Sequence, residues 1–102
     1  MAVNVIREYV TQVPQLELIT TCADAIQAFQ ALSEHPIDLL FLDIEMPRLN
    51  GIDFIKSLAH PPAIILTTAY RDYAFESYEI DVIDYLLKPI SFGRFFLSLI
   101  HI

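Results

Sequence analysis

Asp43, Thr68 and Lys88 each combine a reactive side chain with a position that chemistry can use. Each stands at the end of a short apolar run. Residues 37–42 show no helical stripe, follow Pro36 and lead into Asp43. Residues 63–66 lead into Thr67-Thr68-Ala69, and residues 82–87 lead into Lys88-Pro89. Short apolar runs bounded by turn residues read as strands buried on both faces of a parallel sheet. Parallel strands bring their carboxyl ends to one edge, where open α/β sheets place their ligands. An acid, a hydroxyl and an ammonium at that edge suit phosphoryl transfer. The carboxylate can act as nucleophile or metal ligand, and lysine is a point charge suited to phosphate. Each residue alone has a plainer reading: an Asp capping a turn, a β-branched Thr in a strand, a surface Lys before a turn.

The elements that position these residues alternate. The pattern predicts a helix over 2–12, with Val3, Ile6 and Val10 near one face, and a strand over 16–20 after Pro14. A helix over 23–33 follows, with Ile26, Phe29 and Leu32 at core spacing and Asp24 near its positive end. After the Asp43 strand, the Asn50-Gly51 pair breaks the chain. A helix over 51–59 then uses Ile52, Ile55 and Leu58, and His60-Pro61-Pro62 stops it. The Thr68 strand, a helix over 73–78 and the Lys88 strand come next. A last helix starts near Ser91, a good N-cap. Such alternation implies a parallel α/β sheet with right-handed crossovers.

A length of 102 residues limits the chain to one domain, and a hydrophobic content of 55% supports a core. Thirteen acidic against six basic side chains give a net charge of −7, which argues against direct nucleic-acid binding. Cys22 is the single cysteine, so no internal disulfide forms and a reducing cytoplasm is consistent. His35, His60 and His101 are scattered, two of them beside prolines, and read as loop residues rather than ligands. No run reaches transmembrane length and no signal peptide opens the chain.

The order D-x-x-M-P at Asp43, T-A after an apolar strand, and D-Y-L-L-K-P at Lys88 resembles the receiver (CheY-like) domain of two-component response regulators, from about residue 2 to about residue 96. The stretch from Thr67 to Pro89 looks most like receivers that carry a LytTR-type DNA-binding output domain. The resemblance implies a doubly wound parallel sheet of flavodoxin type, with strand order 2-1-3-4-5. It implies that Asp43 accepts a phosphoryl group from a sensor histidine kinase, that Lys88 neutralises the developing charge, that Thr68 is the switch hydroxyl and that Tyr85 is the switch aromatic. It implies Mg²⁺, held by Asp43 and the Glu45 backbone carbonyl among others, with the Glu45 side chain free to vary. It also implies a cis peptide bond before Pro89. Such a domain is a phosphoacceptor rather than an enzyme, with at most weak self-catalysed phosphotransfer and autodephosphorylation. It acts in the cytoplasm on transcription, without touching nucleic acid or membrane itself. The helix and strand around 73–85 offer an aromatic face for a homodimer or for output docking.

The ends depart from the family. Receivers open with a strand that ends in an acidic pair, and no such pair precedes residue 17 here. The sequence therefore predicts a fragment lacking its first, central strand, with Mg²⁺ bound weakly and phosphoryl accepted slowly or not at all. The strand at 16–20 must then pair directly with the Asp43 strand, leave a gap, or borrow a strand from another chain. Residues 97–102 form an apolar tail that reads either as a buried helix end or as non-native sequence resembling translated adapter read-through, and the expectation is a receiver cut before its output domain. The alternative function is a non-phosphorylatable receiver-like module for interaction or dimerisation. A hydrolase of the haloacid dehalogenase type fits less well, since Glu45 stands where that family has a second Asp. A dinucleotide binder fits least, because Gly51 and Gly93 are the only glycines.

Overall fold

The computed structural model describes residues 2–46, 49–70 and 81–100. The elements are α1 (Ala2–Thr11), α2 (Ala25–Glu34), β1 (Leu39–Asp43), α3 (Gly51–Lys56), β2 (Ala63–Thr68), β3 (Asp84–Leu87) and α4 (Phe92–Leu99). The three strands form one parallel sheet in the order β1-β2-β3. β2 is central, and Ile64, Ile65, Leu66 and Thr68 are fully buried. The continuous apolar run of β2 is what a strand covered on both faces needs.

Side chains alternate across the sheet and build a separate core on each face. Leu42, Ile64 and Leu66 meet Ala28 of α2 and Ile52 and Ile55 of α3. Ile65 and Leu86 meet Val10 of α1, Ile90 and Phe95 of α4. Helices on both faces make the sheet doubly wound. Tyr9 of α1 also ties the second face down, its hydroxyl donating to the Ile90 carbonyl at 2.8 Å.

Local sequence explains the helix starts. Asp24 caps α2 by accepting from the Gln27 amide, while the Gln27 side chain accepts from the Ala23 amide, a reciprocal arrangement of the capping-box type. Asn50 caps α3 and Ser91 caps α4, each accepting an amide of the first turn. The peptide bond between Lys88 and Pro89 is cis, as the family resemblance implies.

Two expectations fail. Residues 16–20 form no strand; among the described residues, no backbone hydrogen bond joins 17–20 to the sheet, and Leu18 and Ile19 stand 41% and 43% exposed. A strand needs a ladder partner, and this segment has none, so β1 is an edge of the described sheet. Direct pairing of this segment with the Asp43 strand is therefore not seen. The inward face of α2 is also displaced by one position. Ala28 is buried, with Ala25 and Leu32 packed beside it, while Ile26 and Phe29 are 67% and 54% exposed. Both sets have helical spacing, and spacing alone does not fix the phase of a stripe. The helix expected over 73–78 lies outside the described residues.

Candidate functional site

The register of the sheet brings the three predicted side chains to one edge. Asp43 pairs with Thr67, and Thr68 pairs with Leu87, so the tips of β1, β2 and β3 are level. Ladder-like bonds continue past them: Ile44 N–H donates to the Thr67 carbonyl at 2.9 Å and Lys88 N–H to the Thr68 carbonyl at 2.7 Å. These bonds fix the backbone on which Lys88 stands.

Lys88 Nζ donates to Asp43 Oδ2 at 2.6 Å. The other carboxylate oxygen, Oδ1, accepts the Glu45 amide at 3.1 Å. Both side chains of the pair keep about a quarter of their surface open, at 27% for Lys88 and 29% for Asp43. Asp43 is thus held in place, charge-paired and still reachable from solvent. That is what a carboxylate nucleophile requires.

Thr68, the threonine that the family resemblance singles out, is the one whose hydroxyl meets the loop after β1. Its buried hydroxyl donates to Glu45 Oε2 at 2.5 Å and accepts the Tyr70 amide at 3.0 Å. Glu45 Oε1 accepts the Ala69 amide at 2.9 Å. Tyr85, on β3, donates its hydroxyl to the Tyr70 carbonyl at 3.2 Å. A continuous chain of contacts therefore runs from Glu45 through Thr68 and Tyr70 to Tyr85.

The loop after β1 is shaped by Gly51. A Cβ there would lie 2.6 Å from the Asp43 carbonyl oxygen and 2.9 Å from Ile44 Cα. Helix α3 therefore starts against the backbone of the acidic tip, a contact only glycine allows. Gly51 N–H donates to the Ile44 carbonyl at 2.8 Å and closes the loop.

A family model described as response regulator receiver domain matches residues 1–99. The chain belongs to the response regulator receiver family. It is 37% identical over 92 residues to an uncharacterized response regulatory protein of Yersinia pestis, covering 87% of this chain and 38% of that protein. It is 42% identical over 81 residues to the transcriptional regulatory protein BtsR of Salmonella typhi, covering 78% of this chain and 34% of that protein. The chain thus spans well under half the length of these curated relatives. Among solved structures, the response regulatory domain of protein mrkE from Klebsiella pneumoniae superposes with a TM-score of 0.84 at 30% identity, covering 96% of this chain and 83% of that one. A Francisella receiver domain superposes with a TM-score of 0.82 at 22% identity, covering 98% of this chain and 86% of that one, which speaks for the fold alone.

Two features of this receiver's site were not read from sequence. The Glu45 side chain was taken as free to vary, yet it binds Thr68 and Ala69. An acidic side chain two residues beyond a strand end, with a hydroxyl at the next strand's tip, is the signal that could have found it. Asp84 was read only as part of a strand. It forms a two-pronged pair with Arg94 at 2.8 and 2.9 Å, and Arg94 also donates to the Tyr85 carbonyl at 3.1 Å. The Asp84 carboxylate raises the Arg94 pKa above its ordinary value. That pair anchors α4 to the strand bearing Tyr85.

Receivers of this family typically use Mg²⁺, and the residues present can be tested against it. Mg²⁺ demands near-octahedral oxygen coordination. Among the described residues no three His, Cys, Asp or Glu side chains come together as a metal site. Both Asp43 oxygens are already hydrogen-bonded. The donor set does not fit the ion. Among the described residues no helix is long and apolar enough to cross a membrane.

Proposed function

We propose that this receiver takes a phosphoryl group onto Asp43 from a phosphohistidine of a sensor kinase. The observation that carries this reading is the 2.6 Å contact between Lys88 Nζ and Asp43 Oδ2, beside Thr68 on the central strand. An Asp43 oxygen attacks phosphorus in line, and the P–N bond of the donor breaks. Its electron pair stays on the imidazole nitrogen, which takes a proton from water. The product is an aspartyl phosphate, and Lys88 stands where its added negative charge is neutralised.

The switch then runs from Thr68 to Tyr85 through Tyr70, along the hydrogen bonds that join them. The whole response regulator carries a LytTR-type DNA-binding output domain and acts in the cytoplasm on transcription. The receiver itself contacts kinase and output rather than DNA, consistent with a net charge of −7. A homodimer forms around 73–85; residues 73–80 lie outside the described part, and Val82 and Tyr85 are partly exposed. Mg²⁺ binds weakly here and phosphorylation is slow, because the described residues bring no three ligating side chains together where the ion needs several oxygens.

The test is intact-protein mass after incubation with Mg²⁺ and acetyl phosphate, beside Asp43→Asn. A slow gain of one phosphoryl group, absent from the variant, is expected. A folded protein that never gains it would leave the second reading, a receiver-like interaction module without receiver chemistry. The same poor metal donor set favours that alternative.

A further inference from the structure

The Glu45 carboxylate is an anion held beside the phosphoacceptor by two donors, the Thr68 hydroxyl at 2.5 Å and the Ala69 amide at 2.9 Å. Both donors sit at the carboxyl tip of β2. The neighbouring tip, Asp43, is in ladder register with Thr67, and adjacent strands are about 4.8 Å apart. A phosphoryl group on Asp43 would present its oxygens to the same two donors. We propose that Glu45 is a resident competitor for that position, and that its carboxylate must leave Thr68 and Ala69 before a phosphoryl group can take them. This rests on Asp43 being the phosphoacceptor.

Charge and hydrogen bonding agree. Thr68 has one hydroxyl proton, and Glu45 holds it; its oxygen meanwhile accepts from Tyr70. Thr68 is 0% exposed with Glu45 in place. The nearby ammonium, Lys88, already serves Asp43. A phosphoryl group arriving on Asp43 therefore meets a second carboxylate two residues away. Like charges in one site disfavour each other. The competition also reaches the switch, because releasing Thr68 from Glu45 frees the end of the chain that continues through Tyr70 to Tyr85.

The experiment compares the unaltered chain with Glu45→Ala and Glu45→Gln. The first removes the anion and its bulk; the second keeps the shape and an acceptor oxygen but not the charge. Initial rates of Asp43 phosphorylation by acetyl phosphate with Mg²⁺ are followed by intact mass. Both variants should react about tenfold faster, the factor that loss of one charge-assisted hydrogen bond corresponds to. Without any phosphodonor, hydrogen exchange at the Ala69 amide should quicken about tenfold in Glu45→Ala and less in Glu45→Gln. Equal or slower phosphorylation in both variants, with Asp43 still the acceptor, overturns the competition alone. Unchanged Ala69 exchange overturns Glu45 as the group that holds this amide. No phosphoryl group on Asp43 in any of the three proteins removes the phosphoacceptor reading and the competition with it.

Discussion

Lys88 Nζ lies 2.6 Å from Asp43 Oδ2 although 45 positions separate the two residues in the chain. The central strand makes this possible. β2 pairs with β1 on one side and β3 on the other, both parallel, so the two outer tips project past the same end. The Lys88 amide is pinned to the Thr68 carbonyl at 2.7 Å, which sets the lysine stem before its side chain reaches across. The pair is a product of topology, with no local sequence contact behind it.

Replacing Lys88 by Ala should therefore separate chemistry from stability. The pair is partly open to solvent, at 27% and 29%, and open ion pairs contribute at most about 1 kcal/mol. Urea unfolding should shift by no more than that. The rate of Asp43 phosphorylation should fall about a hundredfold, as for loss of one preorganised charge-stabilising group. A large stability loss with an unchanged rate would show that the lysine is structural.

The two glycines should respond in opposite directions. Gly51→Ala drives a methyl into the Asp43 carbonyl and Ile44 Cα, both backbone. It should cost about 1–3 kcal/mol, as overpacking does, and move the acidic tip. Gly93 has nothing within 4 Å of its Cβ position. Gly93→Ala, in helix α4, should stabilise by about 0.5–1 kcal/mol. Denaturant melts of both variants check the contrast, and equal effects would contradict the Gly51 contact.

The site was legible because strands buried on both faces leave unbroken apolar runs, and Asp43, Thr68 and Lys88 each follow such a run. The N-cap Ser91 was legible for a similar reason, since its chemistry is local, whereas Asp24, expected inside the first turn of a helix over 23–33, caps a helix that starts at Ala25. What the sequence hid is what tertiary partners decide. Residues 16–20 read as a strand from their own composition, but they find no ladder partner in the described sheet. The spacing in α2 admits either Ile26 with Phe29 or Ala25 with Ala28, and only packing against Leu42 and Ile64 selects the alanines. The Glu45 and Asp84 side chains found partners 23 and 10 residues away, beyond the reach of a local pattern.

Phe95 should carry much of the second core. It is fully buried, stacks on Phe41 at 5.2 Å between ring centroids and meets Tyr9 at 5.3 Å. It thereby joins α4 to β1 and α1. Phe95→Ala should cost about 3–5 kcal/mol, a large share of the stability of a small domain. Leu97, on the same helix but 55% exposed, should tolerate Ala within about 0.5 kcal/mol. Calorimetry on the two variants tests the assignment of faces to α4. A similar loss at both positions would mean that α4 is turned about its axis from the orientation described.

Cys22 gives a pH-dependent check on the start of α2. Burial pushes its thiol above the ordinary cysteine value, and the Asp24 carboxylate pushes the same way. The folded state therefore holds the thiol proton more tightly than the unfolded chain, where cysteine ionises near about 8.5. The stability from this preference is complete below that value. It is lost as pH rises from there through the raised folded pKa. The thiolate is the reactive form, and Cys22 is the single cysteine, so alkylation by iodoacetamide reads this one group by mass. The inflection of rate against pH should lie higher for the folded protein than for the same chain in urea. Asp24→Asn keeps a capping side chain and removes the smaller of the two causes, so it should lower the folded inflection without bringing it down to the unfolded value. A folded inflection at or below that of the unfolded chain would mean that Cys22 is not packed against the α2–α3 core as described.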